Sequence, residues 1–400
     1  MIKPMVRNNI CLNAHPQGCA AVVQRQIQYA RKNLSPADSA ECAAPKLVLV
    51  VGCSNGYGLA SRICAAFGYG AATVGLSLEN IPTEKRSGTP GYYNNEAFDR
   101  EAAQAGLVSL SLNGDAYSNE MKAKAVEAIR QAAAKAGIPA TIDLVVYSLA
   151  SPARTDPQSG IMYKSVIKPI GAALSGKSLN MMDGTFTNFS VEPAREEDVF
   201  NTVKVMGGED WELWMDALDK EGLLAPNTRT VAYTYIGPEL SWAIYKNGTI
   251  GKAKEDLERA CREINNNYTA RNKISGAWVS VNKALVTRSS AVIPIIPLYI
   301  SCLFTVMKEQ GLHEGCIEQI ARLYRERLYC GGQVPVDSEG RIRLDDWEMR
   351  EDIQKAVIEK MKKVTPENVF AETDLAGFKH DFLEVHGFDV DGINYDKNSE

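Results

Sequence analysis

Residue types that build metal sites are scarce in this sequence. The four histidines, His15, His313, His380 and His386, lie far apart among the 400 residues. The nine cysteines are scattered, odd in number and without a C-x-x-C pair, a pattern that argues against both a zinc site and a disulfide framework. We therefore expect no bound metal, and free thiols in a reducing cytoplasm.

A surplus of positive charge and a membrane-length apolar run are also lacking. The formal net charge is −5 with both signs interspersed, so no basic surface for nucleic acid is expected. Residues 1–7 lack the apolar core of a signal peptide. Residues 291–307 are strongly apolar but fall short of about 20 residues and contain Pro294 and Pro297, so we expect a buried or lid-forming helix and no membrane partner.

A glycine-punctuated stretch is the first positive signal. The apolar run 47–51 is followed by G-C-S-N-G-Y-G at residues 52–58 and by helix-compatible residues 59–62. In a strand-turn-helix unit, Gly52 permits a sharp turn, Gly56 a close approach of a pyrophosphate and Gly58 tight helix packing. No Lys-Ser/Thr follows, which excludes a Walker loop. Such a loop also occurs as an ordinary tight turn, so its surroundings must decide.

The pattern around this loop predicts the fold. Strands at 47–51, 72–78, 107–112 and 142–148 alternate with helices, which predicts an α/β fold, a Rossmann-like doubly wound parallel sheet flanked by helices. A glycine-rich break with a β-hairpin pattern interrupts the series. We expect a single domain over residues 1–400, with an N-terminal extension (1–45), a dinucleotide-binding core (46–152), an inserted hairpin region (153–193), a catalytic and substrate-covering part (194–310) and a C-terminal helical part (311–400).

Residues at the ends of the predicted strands are candidates for cofactor contacts. Glu79 ends the second strand about 20 residues after the loop, where a carboxylate accepts hydrogen bonds from ribose hydroxyls and repels a 2′-phosphate. This placement favours NADH over NADPH, with Leu78 near the adenine; a solvated strand-end acid is the alternative. Asp115-Ala116 occupies the matching place after the third strand. Leu149-Ala150 ends the fourth strand and is expected to line the central crevice.

The second half of the sequence offers an acid. Tyr235 and Tyr245 flank a strand-to-helix transition, and Lys254 follows. A nearby ammonium lowers the pKa of a tyrosine and eases proton donation. In one straight helix Tyr245 and Lys254 point apart, but Asn247-Gly248 and Gly251 interrupt the helix and allow the chain to return Lys254, on the first turn of the next helix, toward Tyr245. The alternative is that Tyr245 is merely a packed aromatic and Lys254 a surface charge.

The Tyr-x8-Lys spacing stretches the Tyr-x3-Lys pattern of the short-chain dehydrogenase/reductase superfamily. With its flanking segments it resembles the related FabV-type enoyl-ACP reductases, also called trans-2-enoyl-CoA reductases. Matching blocks cover nearly the whole chain: residues 5–11, 15–19, 52–62, 147–152, 205–211, 235–239, 248–254, 281–283 and 313–319.

The resemblance implies a function and a set of roles. It implies NADH-dependent reduction of the C2–C3 double bond of trans-2-enoyl-CoA or trans-2-enoyl-acyl carrier protein, the last step of fatty acid elongation, by a monomer. The apolar run 291–307 is expected to cover the acyl chain. The implied catalytic residues are Tyr245 and Lys254, and Tyr235 is the implied substrate contact. The implied cofactor contacts are Gly52, Cys53, Ser54, Asn55, Gly56, Tyr57, Leu78, Glu79, Asp115, Ala116, Leu149, Ala150, Lys254, Leu285, Val286 and Thr287.

Two other functions stay open on the sequence. A short-chain-type carbonyl (3-oxoacyl) reductase uses the same cofactor and a Tyr/Lys pair on a ketone. A non-catalytic NAD(H)-binding sensor needs the glycine loop but has no use for Tyr245 and Lys254.

Overall fold

A computed structural model describes residues 2–7, 10–35, 44–288 and 296–396. In chain order the strands are β1 (Val6–Arg7), β2 (Ile10–Cys11), β3 (Leu47–Val51), β4 (Ala72–Ser77), β5 (Ser109–Asn113), β6 (Leu144–Tyr147), β7 (Ala153–Thr155), β8 (Met162–Lys164), β9 (Leu174–Leu179), β10 (Phe186–Val191), β11 (Arg229–Thr234), β12 (Gly276–Val281) and β13 (Ile342–Arg343).

Helices connect and cover these strands. They are α1 (Pro16–Asn33), α2 (Gly56–Ile63), α3 (Pro90–Gln104), α4 (Asn119–Ala136), α5 (Glu196–Met206), α6 (Glu209–Lys220), α7 (Trp242–Tyr245), α8 (Thr249–Ile264), α9 (Ile296–Glu309), α10 (Cys316–Leu323), α11 (Glu351–Lys363), α12 (Val369–Glu372) and α13 (Leu375–Glu384).

Seven strands form one parallel sheet in the order β13-β12-β11-β6-β3-β4-β5. The chain builds outward from β3 to β5 and then returns to the other side of β3 with β6. Because the winding direction reverses between β3 and β6, a crevice opens there at the carboxyl ends of the strands. The predicted Rossmann-like doubly wound sheet is confirmed.

The central strand β3 shows why the sheet needs helices on both faces. All five of its residues are buried. Val48 and Val50 join a core with α1, α2, α3 and α10, whereas Leu47, Leu49 and Val51 join the opposite core with α4, α6 and α8. Successive strand residues point to opposite faces, so a continuous apolar run indicates a strand covered on both sides.

A third apolar cluster lies over the crevice. It combines α9, α11 and α13 with Tyr245 and residues 284–286. The inserted region forms two hairpins, β7-β8 and β9-β10, and Leu179 of β9 is buried in this same cluster. The predicted apolar helix is described from Ile296 onward and is buried there, while residues 291–295 of that prediction lie outside the described residues.

Two details of the fold depend on contacts between distant residues. Helices α5 and α6 are separated where Asp256 accepts a hydrogen bond from the backbone N–H of Gly208 at 2.9 Å. The sequence did not predict β13, which adds two residues of the C-terminal part to the sheet beside β12. A two-residue strand is too short to give a periodic pattern.

Candidate active site

The predicted site residues converge on one edge of the sheet. All seven strands are parallel, so the segments that follow β3, β4, β5, β6, β11 and β12 emerge at the same edge. These segments carry the candidates at 52–57, 78–79, 115–116, 149–150, 235 and 285–287. The remaining candidates, Tyr245 and Lys254, lie on α7 and α8, directly after β11.

The glycine loop combines two closed positions and one open one. A Cβ on Gly52, whose φ is +91°, would lie 2.3 Å from the Ser148 carbonyl oxygen, and one on Gly58 would lie 1.8 Å from the Gly52 carbonyl oxygen. A Cβ on Gly56, with φ +52°, meets only the Thr287 methyl group at 3.9 Å. Gly52 and Gly58 therefore have the conformational roles that the sequence predicts, and Gly56 faces open space.

The start of α2 offers backbone donors to the crevice. Asn55 precedes the helix in an extended conformation, and its side chain makes no capping hydrogen bond. The first N–H groups of a helix have no partners within the helix and carry its positive dipole end. Together with the open face of Gly56, they fit the pyrophosphate of a dinucleotide.

Glu79 is held against this loop. Its Oε1 accepts a hydrogen bond from the Ser54 hydroxyl at 2.6 Å, and its Oε2 lies 3.4 Å from the Arg288 guanidinium. The Glu79 side chain is only 6% exposed, unlike the solvated strand-end acid of the alternative interpretation. The neighbouring Leu78 is 72% exposed, which leaves its side chain accessible at the outer end of the crevice.

The remaining strand-end candidates, residues 115–116 and 149–150, differ in their exposure and local contacts. Asp115 Oδ1 accepts a hydrogen bond from the Tyr117 backbone N–H at 3.0 Å, and Ala116 is buried. Leu149 is half-buried and Ala150 is exposed at the end of β6. The second carboxylate oxygen of Asp115 accepts no hydrogen bond from the described residues. Residues 149–150 border the gap between β6 and β3.

The interrupted helix before Lys254 follows from two glycines. A Cβ on Gly251 would lie 1.9 Å from the Lys246 carbonyl oxygen, and one on Gly248 would lie 2.5 Å from the Ile244 carbonyl oxygen. The end of α7 and the start of α8 therefore touch backbone to backbone. Because α8 begins at Thr249, Lys254 lies on its second turn and not on the first turn as expected.

Lys254 is half-buried, and its ammonium makes a single hydrogen bond to the described residues. Its ammonium donates to the Tyr233 carbonyl oxygen at a long 3.4 Å. Burial disfavours the charged form and lowers the pKa of Lys254 to about 8. An ammonium has three donors, so Lys254 has donors left for a ligand in the crevice.

The hydroxyl groups of Tyr235 and Tyr245 differ in their hydrogen bonding. The rings of Tyr235 and Tyr245 pack edge to face with centroids 4.8 Å apart. Tyr235 donates its hydroxyl proton to Glu348 Oε1 at 3.1 Å, whereas the Tyr245 hydroxyl has no hydrogen-bond partner within the described part of the chain. Burial and the Glu348 charge raise the pKa of Tyr245, so the expected lowering by lysine is wrong and Tyr245 remains a protonated donor.

The segment after β12 crosses above the glycine loop. Leu285 and Val286 are buried, and the methyl group of Thr287 lies beside Gly56. Tyr57 joins the two parts, because its hydroxyl donates to the Lys283 carbonyl oxygen at 2.9 Å. The Tyr57 side chain therefore links α2 to the segment after β12.

Sequence reasoning missed Glu348. This carboxylate accepts hydrogen bonds from Tyr235, Tyr299 and the backbone N–H of Ala284. In the sequence it stands in a mixed run, Asp345-Asp346-Trp347-Glu348, more than a hundred residues from Tyr235. No local pattern distinguishes it from a surface acid.

The described residues contain no group of three or more His, Cys, Asp or Glu side chains placed to hold a metal ion. None of their helices combines the length and the apolar character needed to cross a membrane.

The sheet order, the open glycine loop and the tyrosine and lysine on the two helices after β11 define the class: an oxidoreductase of the Rossmann type that uses a nicotinamide dinucleotide. Family models agree. The catalytic region of trans-2-enoyl-CoA reductase matches residues 86–329, and the NAD(P)H binding domain of trans-2-enoyl-CoA reductase matches residues 1–84. The chain belongs to the trans-2-enoyl-CoA reductase family.

Relatives of known activity resemble the chain along its whole length. It is 58% identical to the NADH-dependent trans-2-enoyl-CoA reductase of Treponema denticola, over 100% of this chain and 98% of the relative. It is 50% identical to the NADH-dependent enoyl-[acyl-carrier-protein] reductase of Flavobacterium johnsoniae, over 99% and 96%. The crystal structure of the Treponema denticola reductase in complex with NAD superposes with a TM-score of 0.94 over 100% of this chain and 98% of that chain.

A third family model, the enoyl reductase FAD binding domain, matches residues 336–398. In the described part of this segment, β13 and the helices α11 to α13 contain no glycine turn between a strand and a helix like that at residues 52–58. Residues of α11 and α13 instead pack on α9 in the apolar cluster over the crevice. These residues do not fit a flavin dinucleotide.

Proposed function

We propose that this protein reduces the C2–C3 double bond of trans-2-enoyl thioesters with NADH and releases the saturated acyl thioester, the last step of fatty acid elongation. The observation that carries the proposal is the Tyr245 hydroxyl, which has no hydrogen-bond partner among the described residues and lies in the apolar cluster that α9 helps to form. An acid and an apolar wall at one crevice suit a substrate with a polar thioester and an aliphatic tail.

The cofactor lies along the carboxyl edge of the sheet in this proposal. Residues 52–57 and the start of α2 hold the pyrophosphate, Leu78, Glu79, Asp115 and Ala116 hold the adenosine, and Leu149 and Ala150 border the nicotinamide. The segment 285–287 closes over the phosphates and the nicotinamide ring. Bound NADH supplies the hydride that C3 of the substrate accepts.

Tyr245 stabilises the negative charge that develops on the substrate. Hydride addition at C3 places negative charge on the thioester oxygen as an enolate. A donor aimed at that oxygen stabilises charge that exists only in and after the transition state. Tyr245 has such a proton, and it delivers the proton to C2 directly or through solvent.

Lys254 and Tyr235 support this acid. The free donors of Lys254 suit the ribose hydroxyls next to the nicotinamide. Tyr235 presents its ring to the substrate, because its hydroxyl proton is engaged by Glu348. The buried apolar face of α9 covers the acyl chain.

Absorbance of NADH tests the proposal against its two rivals. The purified protein is mixed with NADH and crotonyl-CoA, and separately with acetoacetyl-CoA. Oxidation of NADH with crotonyl-CoA alone supports the enoyl reductase. Oxidation with acetoacetyl-CoA alone identifies a carbonyl reductase, and NADH binding without oxidation of either substrate identifies a sensor.

The carrier, compartment and assembly are finer parts of the proposal. Relatives named for both CoA and acyl carrier protein substrates match this chain, so we infer that it accepts a thioester on either carrier, which crotonyl-CoA and crotonyl-acyl carrier protein compare directly. The free cysteines among the described residues support a reducing cytoplasm. Light scattering tests the monomer that the resemblance implies.

A further inference from the structure

A buried carboxylate connects the two sides of the proposed active site. Glu348 is 0% exposed and uses both of its oxygens. Oε1 accepts from the Tyr299 hydroxyl at 2.6 Å and from the Tyr235 hydroxyl at 3.1 Å, and Oε2 accepts from the Ala284 backbone N–H at 2.7 Å. Glu348 thus meets three donors that come from three separate segments of the chain.

This donor set fits the ionised carboxylate. An ionised carboxylate only accepts hydrogen bonds, whereas a protonated one must place its own O–H on an acceptor. The three partners of Glu348 all have a proton to donate. The positive charge of the buried Lys283 also favours the carboxylate and opposes the rise in the pKa of Glu348 that burial causes.

The Glu348 contacts bear directly on the tyrosine pair. A tyrosine hydroxyl has one proton, so while Tyr235 donates to Glu348 it has no proton for a substrate. The same bond fixes the Tyr235 ring, whose face or edge meets the Tyr245 ring in a perpendicular contact with an interplanar angle of 86°. Tyr245 is left with the free proton.

The other end of the network reaches the cofactor side. Ala284 immediately precedes the segment 285–287 that lies over the glycine loop. The adjoining Lys283 carbonyl oxygen accepts the hydrogen bond of Tyr57, on the first turn of α2. A continuous path of bonded groups therefore runs from Tyr57 through residues 283–284 and Glu348 to Tyr235.

We propose that Glu348 is a positioning residue, which engages the Tyr235 hydroxyl so that Tyr245 donates to the substrate, and which fixes the segment that covers the cofactor. This inference rests on the proposed function and assigns a role to a residue outside the sequence motifs. Because Glu348 touches Tyr235 and not the reacting atoms, its effect on proton donation passes through Tyr235, and its effect on the cofactor-covering segment passes through Ala284.

A double-mutant cycle tests this dependence. Glu348→Gln is expected to lower kcat for crotonyl-CoA about tenfold, roughly the effect of one hydrogen bond to a charged group, with a smaller change in the KM for crotonyl-CoA. In a Tyr235→Phe background the hydroxyl that Glu348 holds is absent. The same change should then lower kcat by about threefold or less.

The matched control is Asp345→Asn. Asp345 is likewise 0% exposed and lies three positions earlier, but its carboxylate binds Arg343. The control variant should keep kcat within about twofold, because it removes a buried charge without touching the tyrosines. Thermal melting of each variant identifies general destabilisation.

If Glu348→Gln does not fold, a second double-mutant cycle tests the proposal. Tyr235→Phe and Tyr299→Phe remove the two hydroxyls that share Oε1, and their effects on kcat should be non-additive for the same reason. If the wild type reduces crotonyl-CoA but the losses of kcat in both cycles multiply as independent effects, the positioning role is overturned and the proposed function is not. No turnover of crotonyl-CoA by the wild type overturns the proposed function, and this inference with it.

Discussion

The glycine-loop side and the tyrosine side of the crevice are built in different ways. The loop, its strand and its helix occupy consecutive residues 47–63, and their shape follows from three glycines. The tyrosine side brings together Tyr235 and Glu348, which are 113 positions apart, with Lys254 on a separate helix. The pyrophosphate contacts can therefore come from one local motif, whereas the acid depends on long-range packing.

The largest expected effect separates these two sides. Tyr245→Phe removes the proposed proton donor and should lower turnover of crotonyl-CoA about a hundredfold or more, while the dissociation constant of NADH stays within about threefold because the glycine loop is untouched. Steady-state assays and fluorescence titration with NADH measure the two quantities. Near-normal turnover would reject Tyr245 as the acid.

Lys254 should connect the two sides. Lys254→Ala is expected to weaken NADH binding about tenfold and to lower turnover as well, since a charged donor to the cofactor is lost. NADH titration and the crotonyl-CoA assay report both effects. If binding is unchanged, Lys254 belongs to the tyrosine side alone.

The pKa of Lys254 gives this prediction a pH dependence. Burial lowers that pKa to about 8, so the ammonium is charged below about pH 8 and neutral above it. The KM for NADH should therefore rise as the pH passes about 8. Lys283 also has a pKa lowered to about 8, and Lys254→Arg separates the two lysines: a guanidinium stays charged, and the rise should disappear if Lys254 causes it.

Two alanine substitutions within the glycine loop should differ from each other. Gly58→Ala forces a Cβ onto the Gly52 carbonyl oxygen and should lower the free energy of unfolding by about 2 kcal/mol. Gly56→Ala places a Cβ in open space and should cost only about 1 kcal/mol for its positive φ, yet weaken NADH binding. Chemical denaturation and NADH titration compare the variants. Equal losses of stability would contradict the open space at Gly56.

Glu79 should give the smallest effect. Glu79→Gln removes the charge that repels a 2′-phosphate and frees Arg288, so the preference for NADH over NADPH should narrow by about fivefold, as expected for a pair of partly screened charges. The ratio of kcat/KM values for the two cofactors measures it. An unchanged ratio would remove Glu79 from cofactor selection.

The same difference between the two sides explains what the sequence could predict. The strand β3, with five buried apolar residues, and the turn at Gly52 are local features, and β3 has the bounds that the sequence predicts. The helix break near Gly248 was also predictable, since glycine weakens a helix wherever it stands. Glu348 was not, because a buried acid in a mixed run acquires its meaning only when Tyr235 and Tyr299 are folded against it.

The pKa of Tyr245 shows the same limit. Sequence proximity to Lys254 suggested a lowered pKa, but the packed cluster around Tyr245 and the Glu348 charge raise it. Burial depends on α9, α11 and α13, which follow Tyr245 by some 50 to 140 positions. A motif can therefore identify an acid without giving its protonation behaviour.

The position of solvent hydrogen in the product shows which carbon of the substrate receives the proton. Crotonyl-CoA is reduced by the protein with unlabelled NADH in D2O, and the butyryl-CoA formed is examined by NMR. A protein-held acid exchanges its proton with solvent, so we expect one deuterium at C2 and none at C3. Deuterium at C3, or an alcohol as the product, would contradict it.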